Sequence, residues 1–158
     1  MPDRRDVTTR PPASSESVRR RMLDQRRRDT ALELSYRRAL FGMGLRYRVD
    51  HRIPPLRRRT DIAFTRWRVA VFLDGCFWHS CPIHASLPKS NREWWREKLE
   101  ANVVRDRHTD STLTARGWSV VRIWEHEPVS EGIEKILSSL LAAGMPPIAG
   151  SSGDVPEQ

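Results

Sequence analysis

The sequence predicts a single α/β domain, a mixed central sheet flanked by helices. Three observations lead there. Apolar residues recur in the order helix, strands, helix, strand, helix, at helical spacing in some segments and in short continuous runs in others. The chain of 158 residues, 38% of them hydrophobic, suffices for one compact core and is short for two ordinary domains. Turn residues separate the apolar segments, and no internal repeat is visible. The expected organisation is a basic flexible arm over residues 1–16, one domain over 17–143 and a disordered tail over 144–158.

Leu32, Tyr36, Ala39, Leu40 and Met43 lie at helical spacing before Gly42 and Gly44 punctuate the end, so a helix is expected from about Asp29. Residues 47–49 are a short strand candidate. The Pro54-Pro55 turn and the run Arg57-Arg58-Arg59 lead into Asp61-Ile62-Ala63-Phe64, followed by a polar turn and an apolar run over 69–73, a hairpin expected at the centre of the sheet. Residues 91–116 read as one helix or a bent pair ending at Gly117. Residues 119–124 are a candidate for a buried strand, and 133–141 for a closing amphipathic helix.

The formal net charge of +8, carried mostly by arginine, points to a polyanionic partner. Nine arginines fall in the first 28 positions, as in a mobile arm able to lie along DNA or simply a solvated tail. No apolar run approaches the roughly 18–20 residues that a membrane span needs, and nothing resembles a secretory leader. A cytoplasmic protein is expected, and there the two cysteines, Cys76 and Cys81, are read as metal ligands or free thiols rather than a disulfide.

The densest chemistry lies in Asp74-Gly75-Cys76-Phe77-Trp78-His79-Ser80-Cys81-Pro82-Ile83-His84, directly after a buried strand. Cys76, Cys81 and His84 are spaced to let one loop wrap a tetrahedral zinc ion, with His126 a candidate fourth ligand. His79 is then left for another task. The competing reading is free core cysteines with surface histidines. Asp61 and Asp74 are spaced in a way similar to the Asp...(Asp or Glu)-x-Lys pattern of restriction-type nucleases, but the lysine position is Cys76. His79 is a candidate proton acceptor in place of that lysine, since a neutral imidazole can take a proton from water. Alone, Asp61 reads as a turn or strand-edge carboxylate. Glu33 completes a Thr30-x-x-Glu33 capping box. Asp106 reads either as a solvated helix carboxylate or as the partner that orients His79. Phe77 and Trp78, beside His79, are candidate wedges for unstacking a duplex, whereas Trp118 and Trp124 read as core or boundary residues.

The blocks Thr30-x-x-Glu33, Thr60-Asp61-Ile62, Val71-Phe72-Leu73-Asp74-Gly75-Cys76-Phe77-Trp78-His79, Trp94-Trp95-Arg96-Glu97-Lys98, Asn102-Val103-x-Arg105-Asp106 and Gly117-Trp118-x-Val120...Trp124-Glu125 resemble, in order, those of the very-short-patch repair (Vsr) mismatch endonucleases. The resemblance implies a restriction-endonuclease-like core with a structural zinc site. It implies a nuclease that nicks duplex DNA beside a T:G mismatch left by deamination of 5-methylcytosine. Asp61 and the backbone carbonyl of Leu73 would hold magnesium, His79 would be the general base, Asp106 its partner, and Glu33 would reach the metal through water. Phe77, Trp78 and Trp95 would intercalate, and Cys76, Cys81, His84 and His126 would bind zinc. The implied setting is a monomer in the bacterial cytoplasm, associated with the nucleoid. Mismatch-repair proteins and a functionally linked cytosine-5 methyltransferase are the implied partners.

The chain departs from the family pattern in two places, at three positions. Leu73-Asp74 stands where some members have Thr-His, which leaves Asp74 open to binding metal directly, and Thr60 replaces a common proline, a change expected to matter little. Two rival readings are a restriction-type nicking enzyme without T:G specificity and a zinc-stapled DNA-binding module without catalysis.

Overall fold

The computed structural model describes Glu16, residues 30–84 and residues 86–148. The expected basic arm, apart from Glu16, and the tail beyond residue 148 lie outside the described residues. Helix α1 (Ala31–Gly42) starts where Thr30, in extended conformation, accepts the Glu33 backbone N–H on its hydroxyl at 3.2 Å. That cap contributes about 1 kcal/mol and sets the start one residue after the expected position of the cap. Strands β1 (Arg48–Arg52), β2 (Arg59–Phe64) and β3 (Val69–Asp74) follow, then α2 (Arg92–Ala115), β4 (Ser119–Trp124) and α3 (Val129–Ala142).

The sheet order is β1-β2-β3-β4. The first three strands form an antiparallel meander, and β4 lies parallel to β3 with Asp74 opposite Trp124. A parallel pair requires a crossover, and α2 supplies it as one continuous helix of 24 residues rather than a bent pair. It stops at Gly117, whose φ of +76° turns the chain while the Trp118 N–H bonds the Leu113 carbonyl at 3.0 Å.

Strand alternation divides the core into two layers. Ile62, Phe64, Val69, Val71, Val121 and Ile123 face α1 and α3, where Tyr36, Leu40, Ile133, Ile136 and Leu140 are buried. Ala70 and Phe72 face the other way, against Leu113 of α2 and Ile53. Strand β4 is therefore half-buried, not buried throughout as expected, because every second residue points toward α2. The expected tail boundary at 144 falls within packed chain, since Met145 is buried and Ile148 packs against the core.

Gly132 marks the tightest packing between α1 and α3. A Cβ there would stand 1.9 Å from the Tyr36 hydroxyl and 2.7 Å from Cζ, and Tyr36 is fully buried with no room to swing aside. Helix propensity alone predicts that Gly132→Ala stabilises by about 1 kcal/mol. The clash reverses the sign, and a net loss of about 1–3 kcal/mol is expected in a urea melt; an unchanged midpoint would show that α3 shifts freely against α1.

The β2–β3 ladder covers Ile62↔Val71, Ala63↔Ala70 and Phe64↔Val69. Toward Leu73 the two strands part, and the Asp61 carboxylate fills the gap by accepting the Leu73 backbone N–H at 2.8 Å. Buried Thr60 stands beside the opening, its hydroxyl 2.7 Å from the Ile62 carbonyl and 2.9 Å from that of Val71. The sheet thus opens a cleft toward α2, at the end where the loop after β3 begins.

Candidate active site

Three elements converge on this cleft of about 380 Å³. By strand parity Asp61, Asp74 and Arg122 point to the α2 side, like Ala70 and Phe72. On α2 the buried residues Trp95, Leu99, Thr109 and Leu113 define a stripe, and Asn102 and Asp106 fall on it at spacings of three and four, so both face inward. The loop after β3 folds back through bonds from the His79 N–H to the Gly75 carbonyl at 3.2 Å and from the Cys81 N–H to the Cys76 carbonyl at 2.9 Å. The Asn102 amide donates to the Trp78 carbonyl at 3.0 Å and docks that loop on α2.

His79 and Asp106 meet here. The His79 Nδ1 lies 2.6 Å from Asp106 Oδ2. A carboxylate only accepts, so Nδ1 carries the proton and Nε2 is left as an acceptor. The His79 side chain is 30% exposed and Asp106 15%, which leaves the imidazole reachable from the cleft while its partner is sheltered. Arg58 donates to the other Asp106 oxygen at 3.0 Å and to the Thr109 hydroxyl at 3.2 Å. Burial and the neighbouring Arg105 charge hold the Arg58 pKa below its ordinary value, against the pull of Asp106.

Asp61 lies across the cleft. Burial pushes its pKa up to about 6, with the charges of Glu33 and Asp74 adding to the rise and the Leu73 N–H and His79 opposing it. A largely buried carboxylate with acidic neighbours offers anionic oxygens, the donor chemistry that suits a hard divalent cation. Glu33, whose charge reaches Asp61, also pairs with Arg37 at 3.0 Å. Beside Asp61 in the cleft stands Asp74, which the sequence leaves open to binding metal directly. Both its oxygens are taken by Arg122 Nη1, at 2.8 and 3.0 Å, so it is held as a buried ion pair. Burial raises the Asp74 pKa, while His79 and Arg122 counteract it. Burial also works against the Arg122 charge, but Asp110 and Asp74 prevail and raise its pKa.

The ligand atoms of Cys76, Cys81, His84 and His126 all lie within 4.8 Å of one another. Cys76 Sγ is 3.1 Å from His126 Nδ1 and 3.9 Å from His84 Nδ1, and Cys81 Sγ is 3.8 Å from His84 Nδ1. Two sulfurs and two imidazoles at such separations fit a tetrahedral zinc ion without an open position. With the ligands alone, burial and the adjacent Cys81 push the Cys76 thiol up to about 11. The Cys81 thiol is buried too, yet backbone N–H groups of Ile83 and His84 hold it below its ordinary value. Metal binding would displace the remaining protons. Glu125 accepts the Cys76 N–H at 2.7 Å and fixes the first ligand to the end of β4.

Phe77, Trp78, Trp94 and Trp95 form one aromatic cluster, with Phe77 5.1 Å from Trp78 and 5.3 Å from Trp95 between ring centroids. Phe77 and Trp78 are partly exposed, but Trp95 is 8% exposed. Trp95 is the most buried of the four, with the rings of Phe77, Trp78 and Trp94 packed against it.

The structure therefore brings His79 to Asp106, Asp61 to Leu73 and Glu33, and the four cysteines and histidines together. Sequence reasoning missed Arg122, Asp110, Arg58 and the contact of Glu125. Arg122 carried a signal, a lone cation inside the apolar strand 119–124, whereas Arg58 is indistinguishable from its neighbours in a run of three arginines.

The family model described as DNA mismatch endonuclease Vsr matches residues 13–84. The type II nicking enzyme V.NaeI of Lentzea aerocolonigenes is 43% identical over 124 residues, covering 77% of this chain and 75% of the relative. The type II nicking enzyme V.XorIIP of Xanthomonas oryzae is 39% identical over 113 residues, 69% of this chain and 81% of the relative. The DNA mismatch endonuclease Vsr of Escherichia coli is 38% identical over 99 residues, 62% of each chain. The family match over β1, β2, β3 and the loop after β3, together with relatives 43% and 39% identical of which the chain covers 75% and 81%, shows that the chain belongs to the Vsr family of DNA endonucleases.

Proposed function

We propose that this protein nicks one strand of duplex DNA beside a T:G mismatch, with His79 as general base. The observation that carries the reading is the 2.6 Å contact of His79 with Asp106, facing Asp61 across one cleft, with Phe77 and Trp78 directly before His79 in the same loop. A restriction-endonuclease-like core is consistent with the mixed sheet and with Asp61 at the point where it opens.

Water held at Nε2 of His79 loses a proton to that nitrogen as its oxygen bonds to phosphorus. The bond from phosphorus to the departing sugar oxygen breaks in line, and that oxygen takes a proton from solvent. Asp106 keeps the imidazole in the required tautomer and balances the imidazolium that forms. Arg58, Arg59 and Arg105 line the cleft and suit the phosphodiester charge. Asp61, with the Leu73 carbonyl and with Glu33 through water, would hold magnesium, which when bound stabilises negative charge on the phosphate. Phe77 and Trp78 would enter beside the mismatch, where unstacking costs less than at a matched pair, with Trp95 supporting them. Zinc at Cys76, Cys81, His84 and His126 would be structural. A T:G pair formed by deamination of 5-methylcytosine would link the enzyme to a cytosine-5 methyltransferase, in a cytoplasmic setting. Among the described residues no helix is long and apolar enough to cross a membrane.

The test is nicking of a labelled duplex carrying one T:G pair, with a T:A control, with and without magnesium, for wild type and His79→Ala. The expected result is nicking of the mismatch alone, dependent on magnesium and lowered by a factor of about 10²–10⁴ in the variant. The relatives named as type II nicking enzymes favour a second reading, nicking without T:G specificity, which equal cutting of both duplexes would support. Tight duplex binding with no nicking would leave only a DNA-binding module.

A further inference from the structure

Resting on the nuclease reading above, we propose that Arg122 is a positioning residue that keeps Asp74 from competing with Asp106 for the imidazole of His79. Two carboxylates flank one nitrogen, with Asp106 Oδ2 at 2.6 Å from Nδ1 and Asp74 Oδ1 at 3.7 Å. The Nδ1 proton can be given fully to only one of them, and the choice sets the ring orientation and the direction of Nε2.

Arg122 decides that choice by its geometry. Its Nη1 engages both oxygens of Asp74, and its Nε and Nη2 engage Asp110 at 2.8–3.0 Å. Nη2 also reaches the Asp106 backbone carbonyl at 3.5 Å and lies 3.7 Å from its carboxylate. The guanidinium centre rests 4.6 Å from the centroid of the Phe72 ring, which fixes its plane. Asp110 stands one turn beyond Asp106 on α2, and Asp74 ends β3 five residues before His79. One planar fork from β4 therefore ties together the two backbones whose spacing determines the His79–Asp106 contact. Lysine, a point charge without a fork, does not reproduce this.

The experiment compares wild type, His79→Ala, Arg122→Met, Arg122→Lys and Arg122→Met with Asp74→Asn, all as zinc-loaded full chains. Three quantities are measured, the single-turnover nicking rate, the duplex Kd and the NMR signal of the His79 Nδ1 proton. Both single Arg122 variants are expected to nick about tenfold to a hundredfold more slowly, the cost of a small misplacement of a reacting group, with Kd within about twofold of wild type. Their Nδ1 proton signal should shift as Asp74 draws the ring. Adding Asp74→Asn should restore most of the rate and the signal, because an amide oxygen is a weaker acceptor than a carboxylate. Wild-type rates in the Arg122 variants, or no recovery in the double variant, would overturn the proposal. If Arg122→Met does not fold, Arg122→Lys with and without Asp74→Asn makes the same comparison. If the wild-type protein nicks no duplex, the nuclease reading fails separately, and the Nδ1 signal still decides whether Arg122 sets the partner of His79.

Discussion

Asp61→Asn is expected to abolish detectable nicking while raising the melting temperature of the protein without added magnesium. The carboxylate is largely buried between parting strands, and its pKa is pushed up to about 6. A carboxyl whose folded-state pKa lies above its unfolded value destabilises the fold once it ionises. The penalty is absent below pH about 4 and complete above about 6, reaching on the order of 1–3 kcal/mol at neutral pH. Asparagine has the same shape, carries no charge and still accepts the Leu73 N–H. A gain of about 2–6 °C at pH 7.5 is expected, narrowing as the pH falls toward 5 and the wild-type carboxyl takes up its proton. On the proposed reading Asp61 would be a direct ligand of the catalytic cation, and its loss would lower the rate by about 10³ or more. Calorimetric scans beside nicking assays check both halves. A variant that nicks normally would remove Asp61 from the chemistry, and one that melts at or below the wild-type temperature would show that its charge is already compensated.

Cys81→Ala is expected to give the second large effect, loss of one bound zinc per chain and of nicking by about 100-fold or more. Cys81 is fully buried and belongs to the loop that also carries Phe77, Trp78 and His79. Zinc would join that loop to His126, just beyond β4, across about fifty residues of chain. The main core of Tyr36, Leu40, Phe64, Ile123 and Leu140 lies on the opposite face of the sheet and does not depend on the loop. The domain should therefore stay folded while the segment around His79 loosens, with a modest fall in melting temperature and faster amide exchange confined to residues 75–84. Zinc stoichiometry, amide exchange and nicking are measured on one preparation. A zinc-free variant that nicks at the wild-type rate would mean that the loop holds His79 without metal.

Much of this molecule is legible in the order of its residues because the cues are local. The apolar run at 69–73 with its antiparallel partner at 61–64, the cap at Thr30 and the stop at Gly117 depend on neighbours within a few positions, and they place the central hairpin and the ends of two helices. The cluster of Cys76, Cys81, His84 and His126, which could hold a metal ion, was readable because three of its four members lie within nine residues. Asp106 was left open, as a solvated helix carboxylate or the partner of His79, and only the burial of Trp95, Leu99, Thr109 and Leu113 shows which face of α2 packs inward.

What only the tertiary structure decided is which charges neutralise which. Asp74 stands beside the expected metal site in sequence, yet Arg122, forty-eight residues away, takes both of its oxygens. Trp95 was grouped with Phe77 and Trp78, but it is more buried than either, and Gly132 acquires its importance only from the Tyr36 hydroxyl across the helix pair. By itself the sequence determined the strands, the helices and the residue types of the site, because propensity and periodicity act over short separations. The pairing of buried charges and the depth of each ring are set by distances across the sheet, which exist only once β3, β4 and α2 have packed together.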